Sequence, residues 1–280
     1  MHGVKKPKGV KKRVLGAAIV AAPLLAWADL RSSFPDPVTP IARETLHVHN
    51  LFMVIALSLF FGVLALMLYS FWRHRKSAGY QAATFTQPVG KKQWFWVLVP
   101  FVGLLVMDYG IFGVPAYHAV LMYEDTKTDA DLVVKVVGNQ WLWQYEFPAE
   151  GVKFTSRLTT PREQISNEQP KGEHYLLEVD NPLVLPVGKK IRFITTSNDV
   201  IHSWWVPAFG VKRDAVPGFL REFWAKVDTP GVYRGQCSEL CGKEHGYMPV
   251  VVHVVPQQEF DAWIQAKKKM AQADAAGQNS

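Results

Sequence analysis

Two long, predominantly apolar stretches constrain this chain more than any other feature: "LFMVIALSLFFGVLALMLYSFW" from Leu51 to Trp72 and "WFWVLVPFVGLLVMDYGIFGVP" from Trp94 to Pro115. At ~1.5 Å of rise per residue, each is long enough as a helix to cross a ~30 Å hydrocarbon core. Between them lie Arg73, Arg75, Lys76, Lys91 and Lys92 with no acid from 73 to 92. Short basic loops stay on the cytoplasmic side, so loop 73–92 is expected inside and both tails outside. The expectation is a transmembrane hairpin spanning 46–123.

The net charge of +7 suggests nucleic acid until its distribution is examined. Residues 1–28 carry +6 of it and no acid. That basic start leads into "VLGAAIVAAPLLAWA", ending Ala26-Trp27-Ala28, the small-x-small pattern of a secretory signal peptide. An uncleaved anchor is the alternative, although the apolar core is short for a span. From 93 to 256 there are 15 Lys and Arg against 18 Asp and Glu. The part expected outside is mildly acidic, and nucleic acid is excluded as a partner.

Residues 29–45 form a Pro-rich lead with Thr45 as expected helix N-cap. His47 and His49 stand at the membrane boundary without a partner motif and read as interfacial polar residues. Asp108, inside the second stretch, costs about 2.5–3.5 kcal/mol if it faces lipid, so it is expected to face protein, either in a proton path or in a helix–helix hydrogen bond. From Asp131 the texture becomes short β-rich runs separated by Pro, Gly, Asn and Asp, the pattern of a β-sandwich, and the domain is expected to span 124–256. Residues 257–280 begin as an amphipathic helix expected to be mostly solvated.

"CSELCGKEHGYM", Cys237 to Met248, holds both cysteines. In an exported domain a disulfide is the first reading, yet a Cys-x-x-x-Cys bridge closes a very small loop and leaves His245 and Met248 unexplained. As metal ligands, two thiolates, an imidazole and a thioether suit copper better than zinc or an iron–sulfur cluster. A second imidazole stands upstream at His202 in "NDVIHSWWVPAFG". Two thiolates permit two bridged copper ions, whereas a blue-copper site uses a single Cys.

"GQCSELCGKEHGYMP", "DVIHSWWVPAFGVKRDAVPG" and "GNQWLWQYEFP" together resemble subunit II of haem-copper cytochrome c oxidases, the subunit with the dinuclear copper A centre. The resemblance runs from the first span to about Pro256. It implies a mainly β, cupredoxin-like sandwich behind an N-terminal two-helix transmembrane hairpin, in the bacterial cytoplasmic membrane with the copper domain on the periplasmic side. It further implies that Cys237 and Cys241 bridge two coppers, that His202 and His245 each ligate one, and that Met248 and the Glu239 carbonyl are weak axial ligands. The Glu239 side chain would reach a magnesium or manganese ion shared with subunit I. Trp141 matches the position where electrons enter from cytochrome c. Glu146, Asp180 and Asp199 match an acidic docking patch for that lysine-rich donor. Subunit I, and with it subunit III, are the implied partners. Trp143 and Tyr145 are expected in the sandwich core.

Gln93 departs from the resemblance, standing where many members carry a glutamate associated with proton entry. Three rivals are weighed against this reading. Quinol-oxidase relatives lack the copper ligands, nitrous oxide reductase carries a second domain for which this chain is too short, and a copper-delivery protein explains neither the hairpin nor Trp141.

Overall fold

A computed structural model describes residues 34–81 and 90–277. The signal-peptide reading of 1–28 and the middle of the loop at 73–92 therefore lie outside the described residues.

Contact density divides the chain into two units: His47–Ala116, and Phe34–Leu46 with Tyr117 onward. In the first unit, helix α1, Pro40–Arg73, carries the first apolar stretch. Helix α2, Lys91–Leu105, a π-helical turn, Val106–Phe112, and helix α3, Gly113–Glu124, carry the second. Both helical runs are long and apolar enough to cross a membrane. Phe52 and Phe112 pair across the hairpin with ring centroids 5.8 Å apart. Asp108 lies in the π-helical turn, exposed on the isolated hairpin.

Helix α1 starts earlier than the expected Thr45 cap. Thr39 supplies the cap instead: its hydroxyl accepts from the Ala42 N–H at 3.0 Å and donates to the Phe209 carbonyl at 2.7 Å. Pro40 follows at the first helical position, where its missing N–H costs nothing. Thr45 sits within the helix and donates to the Ile41 carbonyl at 2.9 Å. The lead itself belongs to the second unit, where Val38 donates to the Ala208 carbonyl and accepts from the Asp228 N–H.

The second unit is a β-sandwich. Its strands are β1, Leu132–Asn139; β2, Leu142–Phe147; β3, Val152–Ser156; β4, Leu183–Pro186; β5, Lys190–Ser197; β6, His202–Val206; β7, Val211–Ala215; β8, Arg221–Lys226; β9, Gly231–Cys237; and β10, Pro249–Val255. One sheet runs β3-β2-β1-β5-β8 and the other β4-β10-β9-β6-β7. Alternation along the strands determines what is buried. On β2, Trp143, Tyr145 and Phe147 face inward with at most 1 % exposure. From the other sheet Trp204 donates its indole N–H to the Tyr145 hydroxyl, and on the same sheet as β2 Phe193 stacks on Phe223 at 4.6 Å. Trp143 and Tyr145 thus occupy the core, as their spacing predicts.

Helix α4 is a single turn, Arg162–Ile165, and helix α5 spans Gln257–Gly277. The first turns of α5 are not solvated. Phe260 and Ile264 are buried, and Trp263 packs edge-on against Phe147 at 5.6 Å. Spacings of three and four residues place these side chains on one stripe facing the β2–β3 sheet. Only the later turns match the solvated expectation.

Candidate metal centre

The strand order brings three distant segments to one edge of the sandwich. β6 opens with His202 and β9 closes with Cys237, and these strands pair with Trp204 opposite Cys237. β1 ends at Asn139, just before Gln140 and Trp141. The loop 238–248 then folds back, with Cys237 N–H donating to the Met248 carbonyl at 3.3 Å and Ser238 N–H to the Ser203 carbonyl at 3.0 Å.

Within this edge Cys237 Sγ and Cys241 Sγ lie 3.9 Å apart, both free and both buried. A disulfide requires about 2.05 Å, so the bridge weighed from the sequence is not formed. Cys241 Sγ is 3.5 Å from His245 Nδ1 and 3.6 Å from Met248 Sδ. Cys237 Sγ is 3.4 Å from the Glu239 carbonyl oxygen. The ligand atoms of His202, Cys237 and Cys241 lie within 4.8 Å of one another, and all three residues are buried.

His202 is fully buried and held from behind. Its Nε2 bonds Asp199 Oδ1 at 2.8 Å, while its Nδ1 is buried without a hydrogen bond. A buried ring nitrogen left unpaired is costly unless something else occupies it, and a ligating imidazole commonly carries a carboxylate on its other nitrogen. The arrangement fits a metal on Nδ1. Asp199 in turn accepts from the Gln140 N–H and the Val200 N–H, each at 2.6 Å. Burial alone would raise its carboxyl, but the His202 and backbone hydrogen bonds outweigh burial and hold it below the usual carboxylate range.

The sulfurs divide their roles in the same way. Burial pushes the Cys241 thiol up to about 12, aided by the neighbouring Cys237 charge. For Cys237, burial is outweighed by His202 and by the backbone amides at its sulfur, and its pKa is lowered. A cation at the sulfurs would offset both the burial and the Cys237 charge that keep Cys241 protonated.

Backbone shape makes room for these groups. A Cβ on Gly138 would lie 2.6 Å from the His202 ring, so a side chain there would displace the imidazole. Gly242 has φ +121°, and a Cβ there would meet Trp141 at 3.1 Å. Trp141 is half-buried over Gly242, and its neighbour Gln140 donates its side-chain amide to the Cys241 carbonyl at 2.8 Å. Trp143 donates its indole N–H to the Met248 carbonyl at 3.1 Å.

The structure therefore brings together His202, Cys237, Cys241, His245, Met248 and the Glu239 carbonyl, with Trp141 beside them. Each of the three expected docking acids also has a partner within the domain. Glu146 is paired with Lys135 at 3.1 Å and Lys153 at 3.2 Å. Asp180 accepts from the backbone of Arg157 and Asn181. Asp199 is the orienting partner of His202. Sequence reading missed that role, although an Asp three residues before a strand-opening His was the available signal. Gly138, Gln140 and Trp143 carried no such signal, because their contribution is proximity to residues distant in the chain.

Residues 132–255 match the family model described as cytochrome c oxidase subunit II, periplasmic domain, and residues 26–112 match the corresponding transmembrane domain. A probable cytochrome c oxidase subunit 2 of Rickettsia conorii is 37 % identical over 241 residues, covering 85 % of this chain and 72 % of the relative. A cytochrome c oxidase subunit 2 of Cereibacter sphaeroides is 35 % identical over 247 residues, covering 84 % and 79 %. Among solved structures, the periplasmic domain of subunit II of cytochrome oxidase from Bradyrhizobium japonicum is 45 % identical, covering 50 % of this chain and 96 % of that one, with a TM-score of 0.44. By the family models and by these relatives over most of its length, the chain belongs to the cytochrome c oxidase subunit II family and is one subunit of an oxidoreductase complex.

Proposed function

We propose that this chain is the electron-entry subunit of its oxidase, holding the dinuclear copper A centre between cytochrome c outside the membrane and haem in subunit I, where oxygen is reduced and protons are pumped. Cys237 and Cys241 would hold both ions, His202 and His245 one each, with Met248 and the Glu239 carbonyl as weaker donors. Held there, two coppers would supply one-electron chemistry with little rearrangement on gain or loss. The observation that carries the reading is the convergence of buried soft donors on an imidazole whose Nδ1 is unpaired.

The protein groups pre-set the site. Asp199 fixes the His202 ring and favours the tautomer with Nδ1 free. Trp143 and Gln140 hold the carbonyls of Met248 and Cys241, which anchors the loop bearing four of the donors. Burial of both cysteines, Met248 and His202 excludes water. Trp141, beside this loop, is proposed as the entry point for electrons, and Glu146, Asp180 and Asp199 are proposed as acids that dock the donor. The exposed Glu239 side chain is proposed to share a magnesium or manganese ion with subunit I. Subunit III is proposed as a further neighbour, and the copper domain is placed on the periplasmic side.

Metal analysis and an electron paramagnetic resonance spectrum of the purified complex test the proposal. Two coppers per chain with one unpaired electron shared by both nuclei is the expected result. A single-copper pattern, or no copper together with quinol turnover, would refute it.

A further inference from the structure

Helix α1 ends in a basic cap whose charges have no counterpart nearby in the chain. Arg73, Arg75 and Lys76 follow directly on the first apolar stretch, all exposed, and no acid occurs from 73 to 92. None of the three makes an ion pair among the described residues. The chain then turns back on itself. A 3₁₀ turn, Lys76–Ala78, is closed by Gly79 at φ +78°, whose N–H donates to the Lys76 carbonyl at 3.0 Å. Tyr80 is thereby brought against the helix end, its ring centroid 4.6 Å from that of His74 and 5.1 Å from Arg73 Cζ. Arg75 Cζ lies 5.9 Å from the Trp72 ring, and its Nη1 donates to the Trp72 carbonyl at 3.2 Å.

A signal that only keeps a loop on one side of a membrane needs charge and no geometry. This cap has geometry. Packing over an aromatic face holds a guanidinium while leaving its in-plane donors for an oxyanion, and a fork of N–H groups matches phosphate oxygens. Arg75 gives one donor to the chain, and Arg73 and Lys76 give none among the described residues. Tyr69, Trp72 and Tyr80 surround these cations with at least 41 % of each side chain exposed. Amphipathic rings beside unpaired cations, where a helix long and apolar enough to cross a membrane stops, match the layer in which lipid headgroups lie.

We infer that residues 69–80 bind the phosphate of an anionic phospholipid, with Arg73 and Arg75 donating N–H groups to its oxygens and Lys76 adding charge. The occupant is a lipid rather than free phosphate because the cations continue directly from the apolar stretch, so acyl chains lying along that helix deliver a headgroup at their level. Copper at the sandwich edge plays no part in this site.

The test uses the assembled complex in phosphatidylcholine bilayers carrying a trace of phosphatidylglycerol or, in parallel, phosphatidylcholine, each with a photoactivatable group near the headgroup. Crosslinked peptides of this chain are then mapped. Capture within 69–80 is expected to be at least about threefold greater for phosphatidylglycerol, and to approach the phosphatidylcholine level near 1 M salt, where the Debye length is about 3 Å. Equal capture of the two lipids overturns the inference. Replacing both arginines, Arg73→Gln with Arg75→Gln, should abolish the preference, and its full retention overturns the site. Arg73→Lys with Arg75→Lys keeps the charge that orients the hairpin and so guards against a glutamine pair that fails to assemble. It should retain less than about half of the preference, because an ammonium lacks the fork, and full retention would reduce the site to diffuse charge and overturn the assignment to the arginines. Excess inorganic phosphate at constant ionic strength should leave capture unchanged; loss of capture would make free phosphate the occupant and overturn the lipid reading.

Discussion

Replacing Asp199 by Asn tests whether this acid serves the metal or a docking partner. In the native site Oδ1 accepts from Val200 N–H and pairs with His202 Nε2, while Oδ2 accepts from Gln140 N–H. An amide has one acceptor oxygen, so either orientation sets its NH2 against a donor. Facing Gln140, it opposes a backbone N–H; facing His202, it drives the imidazole to the tautomer whose proton sits on Nδ1. The Gln140 N–H is exposed and can turn to water, so the cost falls mainly on the fully buried His202 ring. Loss of the carboxylate behind a ligating histidine typically costs about 10- to 100-fold in metal affinity, or about 1.4–2.7 kcal/mol. Copper affinity measured by chelator competition should therefore fall by about that factor, with a thermal melt of the copper-free protein lowered as well. If Asp199 acted only at the donor surface, kcat/KM for the donor would change and copper affinity would not. Copper affinity within about twofold of native would refute the reasoning.

Thr39→Ala removes the helix cap and leaves the Phe209 carbonyl unpaired, so the chain should lose about 1–2 kcal/mol in denaturant unfolding while Thr39→Ser retains most of it. Glu222 is held below the ordinary 4.5 by the Arg192 guanidinium, against burial and with help from Thr126. A depressed carboxyl stabilises the fold above its unfolded pKa and loses that contribution as pH falls through the folded one. The melting-temperature gap between native and Glu222→Gln should thus be open near pH 7 and narrow only as pH falls below the ordinary 4.5 and through the lowered folded pKa, and a constant gap would refute the ion-pair account. Asp108, in the π-helical turn, makes no hydrogen bond or ion pair among the described residues, so in the assembled complex it needs a partner from another chain. Asp108→Leu should lower co-purification of the haem-bearing subunit while Asp108→Asn preserves it; equal yields would place the residue outside any such contact.

Much of this molecule is determined by local chemistry and is therefore legible in the chain. Apolar length specifies Leu51–Trp72 and Trp94–Pro115 as helical spans, and period-two burial specifies Trp143, Tyr145 and Phe147 as core, because each depends only on neighbours in sequence. The donor types between Cys237 and Met248 likewise name a soft-metal site before any fold is known. The rest depends on convergence. Thr39 displaces Thr45 as the cap because the Phe209 carbonyl, 170 residues away, completes its hydrogen bonding. Asp199 becomes the support of His202, and Gly138 the space for its ring, only once β1 and β6 meet at one edge. Charges that count as acids in the chain are neutralised by lysines on adjacent strands, Lys135 and Lys153 around Glu146. Sequence specifies which atoms can bind metal or carry charge; tertiary structure decides which of them are left unpaired, because pairing is settled by partners that only folding brings within a few ångströms.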